Sequence, residues 1–394
     1  MSEFLETKFE APKPSMTPWK SICVAMDIGS TQTRSAVYDT DANIDEEILL
    51  DSNYEVYVRD LSHVESPSDT LSANLDLIIT DETAESKVKP FITCEHVIKG
   101  DLLAAVTTNS QITGASVSKV DQKVTYINVV TNVAIQLLQQ FSKRGMPDSS
   151  ISVSMTVALP PEDTKHQEKM NVFRSSLAGT YTVEFVRLGV TVKFTILEDM
   201  KIVAEPEAAA VYLSVNNALE DEDDAVVCVL DIGGRSTGIT FISDKHLLVD
   251  SCTTVNIGGS KLAAIFSREL AAAYNIQEPL IPRVMKSMKT GTMKIGARKL
   301  DVSDQLNSAK SEFASLIMNE LIRSVDINEF QLQNISTVYC SGRTFGAAPK
   351  SPSLMTFIEK LYTEKSAYTA FKPVEATNPI LSGLCYKGIL SAQN

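Results

Sequence analysis

The tripeptide Asp-Ile-Gly occurs twice in this chain, at 27–29 and at 231–233. Each copy ends an apolar run, Ser21–Asp27 or Ala225–Asp231, and opens a turn rich in glycine and hydroxyl groups. The first turn reads GSTQT and the second IGGRSTG; Arg34–Tyr38 and Ile239–Ser243 follow as further β-rich runs. Short apolar runs bounded by Gly and Ser clusters read as hairpins. One Asp-x-Gly is an ordinary turn, but two, each behind a buried strand, predict two similar halves around a cleft. Gly29 permits close backbone approach, and Ser30, Thr31 and Thr33 add hydroxyls beside exposed amides, a nest suited to a polyphosphate. The second turn offers the same parts through Gly233, Gly234, Arg235 and Ser236. Asp27 and Asp231, at the strand ends, suit magnesium held through water, because that ion keeps much of its hydration shell.

The remaining pattern alternates strands and helices, an α/β class. Val120–Lys143 has helical spacing, Ser152–Ala158 is a strand stopped by Pro160 and Pro161, and Glu162–Leu177 is the next helix. Strands at Tyr181–Leu188, Val190–Leu197 and Lys201–Ala204 lead to a helix over Ala208–Asn216. The acidic run Glu220–Asp224 is a solvated crossing between halves. Beyond it, Gly258-Gly259 open a helix to about Tyr274, Val302–Val325 is a long helix and Thr337–Cys340 a short strand. Helices over Pro352–Leu361 and Pro379–Leu390 close the pattern. The expected division is a flexible tail over 1–20, a first lobe over 21–217 and 366–394, and a second lobe over 218–365. A weakly patterned stretch, about 45–115, reads as a subdomain inserted in the first lobe.

Composition excludes several classes. The chain has 394 residues, 44% of them hydrophobic, enough for a real core and against disorder as the main state. No apolar run reaches the ~18 residues of a spanning helix. A net charge of −13 argues against coating nucleic acid directly, which takes a net basic surface. The cysteines, Cys23, Cys94, Cys228, Cys252, Cys340 and Cys385, are scattered without a CxxC pair and read as free thiols in a reducing, cytoplasmic setting. His63, His96, His166 and His246 are equally isolated, so zinc has no support. The N-terminal stretch lacks a basic start and an apolar segment and is not read as a signal peptide.

With these residues in view, the sequence resembles the actin / DnaK-chaperone / sugar-kinase superfamily. Asp27–Thr33 matches its first phosphate motif and Asp231–Thr237 its second. Ile202–Ala210 (IVAEPEAAA) resembles the entry to the first connecting helix, and Val338–Thr344 stands where the adenosine motif belongs. Within the superfamily the resemblance is to ParM-type plasmid-segregation actins, through Val153–Pro161 (VSMTVALPP), the layout of Tyr181–Ala210, and Asn378–Gly383 at the start of the closing helix. Arg235, Gly238 and Arg343 depart from the group's pattern. The resemblance implies a two-lobed actin-like ATPase fold, with duplicated ribonuclease H-like lobes around a nucleotide cleft. It implies ATP, with GTP as the alternative nucleotide, together with Mg²⁺. It places Ser341, Gly342 and Arg343 at the adenosine, and Gly258 and Gly259 where a helix approaches the nucleotide.

Glu205 is the candidate for hydrolysis: a carboxylate facing the terminal phosphate can orient water for in-line attack. Glu207 is its rival, and both would also serve simply as acids at a helix N-terminus. Arg283, Lys286, Lys289, Lys294, Arg298 and Lys299 form a basic island without an acid, read first as a solvated face. The resemblance implies self-association into filaments that move plasmid or other extrachromosomal DNA through an adaptor at a centromere-like site. It implies neither direct DNA recognition nor membrane attachment. A DnaK-like nucleotide switch would need a substrate-binding module beyond the ATPase core, and a small-molecule kinase an aspartate base. A membrane-tethered division actin would need a basic amphipathic helix at the end of the chain.

Overall fold

The computed structural model describes residues 3–6, 8–10, 12–14, 21–29, 32–38, 48–51, 55–56, 68–100, 102–103, 118–216, 226–243, 246–328, 330–342, 344, 346, 348–365, 369–374 and 378–392. The chain divides into two compact units, Met1–Tyr212 with Ile380–Asn394, and Leu213–Pro379.

The first unit opens with the hairpin β1 (Ile22–Ile28) and β2 (Gln32–Tyr38), continued by β3 (Ile48–Asp51). Next come β4 (Glu55–Val56), β5 (Asp76–Asp81) and β6 (Cys94–Ile98). The helix α1 (Lys123–Arg144), β7 (Ile151–Leu159), α2 (Pro161–Thr164) and α3 (Gln167–Leu177) follow. Then β8 (Gly179–Phe185), β9 (Val190–Ile196) and β10 (Lys201–Ala204) lead into α4 (Glu205–Val215). One sheet holds these strands in the order β3-β2-β1-β7-β9-β8-β5-β6-β4, with β10 also on β7. The described strands between 45 and 115 therefore extend this sheet at both edges. Helix α1 is buried from Val124 to Phe141, as a helix without a solvated face must be. Two of its polar side chains meet the hairpin: the Gln136 amide donates to the Ser35 carbonyl at 2.8 Å, and the Ser35 hydroxyl donates to Oδ1 of Asn132 at 3.3 Å.

In the second unit β11 (Val226–Ile232) and β12 (Thr237–Ser243) repeat the hairpin, followed by β13 (His246–Leu247) and β14 (Thr253–Val255). Helices α5 (Gly259–Tyr274) and α6 (Ile281–Thr290), the hairpin β15 (Thr292–Ile295) and β16 (Arg298–Asp301), and α7 (Ser303–Ile327) come next. Strand β17 (Ile335–Ser341), α8 (Leu354–Thr363) and β18 (Ala370–Pro373) complete the unit. The sheet order is β13-β12-β11-β17-β18, with β14 also on β12. Leu262, Phe266, Phe313, Ile317 and Leu321 are fully buried in its core. The closing helix α9 (Pro379–Ala392) belongs mainly to the first unit. It lies so close to α4 that a β-carbon added to Gly383 would stand 1.7 Å from the Ala208 carbonyl oxygen.

Both hairpins have one register. Asp27 faces Arg34 and Ile28 faces Thr33; Asp231 faces Gly238 and Ile232 faces Thr237. Each takes a parallel neighbour that sets Ala158 beside Asp27 and Ser341 beside Asp231.

Four details differ from the sequence reading. Helix α4 starts at Glu205, not Ala208, because Glu205 and Glu207 suit the positive end of a helix dipole and Pro206 is tolerated in a first turn. The helix expected over Glu162–Leu177 is broken at His166, whose backbone is extended at φ −110° and ψ 103°. The return to the first unit comes at Ile380 and not at 366, because β18 pairs with β17. The expected tail is partly docked, since apolar Leu5 is fully buried and the Met146 amide donates to the Lys13 carbonyl at 2.6 Å. The acidic run 220–224 lies outside the described residues. No described helix is long and apolar enough to cross a membrane.

Candidate functional site

In the first unit, Asp27 is the penultimate residue of β1, with 4% of its surface exposed. Its Oδ2 is 3.0 Å from Nη1 of Arg34, the residue opposite it in the hairpin. Thr33 is buried and Gly29 half-buried; Ser30 and Thr31 lie outside the described residues. Glu205 meets this turn through a residue that the sequence reading missed. The Lys119 ammonium donates to Oε1 of Glu205 at 2.7 Å and to the Ile28 carbonyl, one residue beyond Asp27. Lys119 is itself pinned: its amide donates to Oδ2 of Asp163 at 2.9 Å, and the Ser118 hydroxyl donates to Oδ1. Asp163 sits on α2, directly after β7, so the central strand of the sheet sets where Lys119 stands.

Glu207 is placed elsewhere. Its Oε1 is 3.2 Å from the Lys387 ammonium on α9. Two residues along a helix turn the side chain by about 200°, which separates the two acids. Glu162 on α2 adds a further carboxylate near Glu205. Local desolvation, and after it the Glu205 and Asp163 charges, raise its pKa.

In the second unit the turn after Asp231 is closed by the Gly233 amide donating to the Ser236 carbonyl at 2.9 Å. The Gly259 and Ser260 amides then donate to the Gly233 and Gly234 carbonyls at 2.9 and 2.7 Å. The N-terminus of α5 is therefore stitched to this glycine turn. Gly258 is required there, since a β-carbon would stand 2.5–2.7 Å from the backbone of Arg235 and Ser236. Ser341 is buried at the end of β17 beside Asp231. Gly342 follows at φ +107°, where an added β-carbon would lie 2.2 Å from the Ile232 carbonyl oxygen. Arg235 is half-buried, and Arg343 lies outside the described residues.

Among the described residues no three His, Cys, Asp or Glu side chains gather as metal ligands. A lone buried carboxylate beside a glycine turn, as at Asp27, fits magnesium held through its own water and a ligand's phosphates, not an all-protein cage. The basic island is exposed on α6, β15 and β16.

Comparison with known proteins bears on the fold that carries these residues. Residues 229–342 match the family described as archaeal actin homologue MreB-like, C-terminal. The archaeal actin homologue Ta0583 superposes with a TM-score of 0.64 at 13% identity, covering 94% of this chain and 99% of that one. The fold is that of the actin-like ATPases. Two ParM structures share this actin-like fold. Bacillus thuringiensis ParM with ATP has a TM-score of 0.60 at 15% identity, with 95% and 100% of the two chains covered. A 15-stranded ParM filament from Clostridium botulinum has a TM-score of 0.60 at 13% identity, with 94% and 99% covered. No curated protein sequence matches the chain.

Proposed function

We propose that this chain is a ParM-like ATPase that polymerises with ATP and segregates plasmid or other extrachromosomal DNA through an adaptor at a centromere-like site in the cytoplasm. The observation that carries the reading is the shared register of the two hairpins, which sets a carboxylate at the same strand end in each unit. The solved ParM with ATP and the ParM filament support the nucleotide and polymer parts.

In this reading the turns at Gly29–Thr33 and Gly233–Ser236 bind phosphates, Ser341–Arg343 the adenosine, and Asp27 and Asp231 hold Mg²⁺ through water. Bound magnesium would neutralise charge on the transferred phosphoryl group. Glu205 orients the attacking water and accepts its proton at a carboxylate oxygen, work that depends on its charged form. Glu207, held by Lys387, is the second candidate. The test follows light scattering, electron microscopy and phosphate release together after addition of ATP and Mg²⁺. Polymers that form and then disassemble as phosphate is released are expected. Turnover without polymers would transfer the reading to a monomeric nucleotide switch.

A further inference from the structure

Lys119 is a buried cation, 9% exposed, standing where the turn after β1 meets Glu205. A lysine ammonium has three N–H donors. Among the described residues two of them are used, one on the Ile28 carbonyl and one on Glu205. The site therefore brings a carboxylate and a phosphate-type turn to one ammonium, with a donor still to place. A carboxylate beside a polyphosphate is a like-charge arrangement, which a cation between them relieves. The anchoring through Asp163 shows that the lysine is placed by the fold and does not sample the surface.

We propose that Lys119 is a binding and positioning residue for the terminal phosphate of a nucleoside triphosphate. In the free protein its ammonium holds Glu205 beside the turn. With a triphosphate bound, the ammonium bridges the terminal phosphate and Glu205, so that the carboxylate stands next to that phosphate in its charged form. A diphosphate lacks the group that Lys119 recognises and leaves the Lys119–Glu205 pair as it is. The site thus reads triphosphate against diphosphate from within the first unit. This inference rests on the nucleotide reading above.

The experiment measures ATP and ADP affinity, each with Mg²⁺, by competition against a fluorescent nucleotide on the full chain. Lys119→Met and Lys119→Arg are compared with wild type. The Met variant should lose tenfold or more in ATP affinity while ADP affinity changes less than threefold, and the Arg variant should regain most of the ATP preference. Equal losses for ATP and ADP, or none, would overturn the assignment, because a purely structural lysine has no reason to distinguish them. If circular dichroism shows Lys119→Met unfolded, Lys119→Gln is read by the same criteria, since its amide can still donate to Ile28 without the charge. Wild-type protein that binds neither nucleotide would overturn the broader reading first, and is seen before any variant is made.

Discussion

Arg34 lies opposite Asp27 across the first hairpin and holds one of its carboxylate oxygens at 3.0 Å, whereas the residue opposite Asp231 is Gly238, which has no side chain to offer. The two strand-end carboxylates are thus alike in register and unlike in surroundings. The guanidinium fixes the Asp27 carboxylate so that its other oxygen is aimed by the pair, a geometry that a lysine at position 34 would not reproduce.

Asp27→Asn keeps the shape of the side chain and removes its charge. Magnesium-dependent nucleotide affinity should fall tenfold or more, with binding in EDTA changing less. Asp231→Asn should behave in the same direction. Isothermal titration with and without Mg²⁺ checks both, and unchanged affinity in either variant would remove that carboxylate from the metal.

Glu205→Gln should separate assembly from turnover. Phosphate release should drop about 100-fold or more, the scale of a lost general base. Filaments should still form with ATP and persist where wild-type filaments disassemble, as followed by light scattering. Wild-type rates of phosphate release would move the role to Glu207 or Glu162.

Gly342→Ala combines a left-handed backbone at φ +107° with a backbone clash at 2.2 Å. Its cost should be on the order of 2–4 kcal/mol, seen in urea unfolding of the full chain. Gly259→Ala meets the Thr344 hydroxyl at 2.8 Å, a side chain that can rotate away, and should cost clearly less. Similar losses at both positions would contradict this account.

Lys310 on α7 is 2% exposed and donates to the Ser351 hydroxyl at 3.0 Å and to the Pro352 carbonyl at 2.5 Å. Burial lowers its pKa from 10.5 to about 8. Between those values the unfolded chain binds more protons than the folded one, so this group makes stability rise with pH. Below about pH 8 the cost of the buried charge is present in full. Wild type should therefore gain stability relative to Lys310→Met between pH 7.5 and 9.5, measured by urea unfolding. A difference independent of pH would show that the ammonium is not desolvated.

Much of this molecule is legible in its sequence because hairpins are local. Asp27 and Arg34 are seven residues apart, and the strand-turn-strand pattern alone sets them opposite each other. The helix after Gly258-Gly259 is equally local and ends at Tyr274, as its periodicity predicts. Lys119 is different. It lies 91 residues from Ile28 and 86 from Glu205, and only the order of strands in the sheet brings the three together. No spacing rule marks such a lysine. Helix α4 starts three residues before the apolar pattern does, because Glu205, Pro206 and Glu207 form a first turn that carries no apolar spacing.

The contact of Gly383 with Ala208 also sets an order of events during synthesis. A ribosome releases the chain from its N-terminus, and domains fold as units while it does so. Here the second unit has all its residues once Pro379 has emerged, but the first still lacks α9. Helix α4, which carries Glu205, must wait for Gly383 to come within reach of Ala208 before its packing is complete. Although it is begun first, the unit that holds Lys119 and Glu205 is finished last. A nascent chain stalled before 380 would display a completed second unit and an unfinished first one.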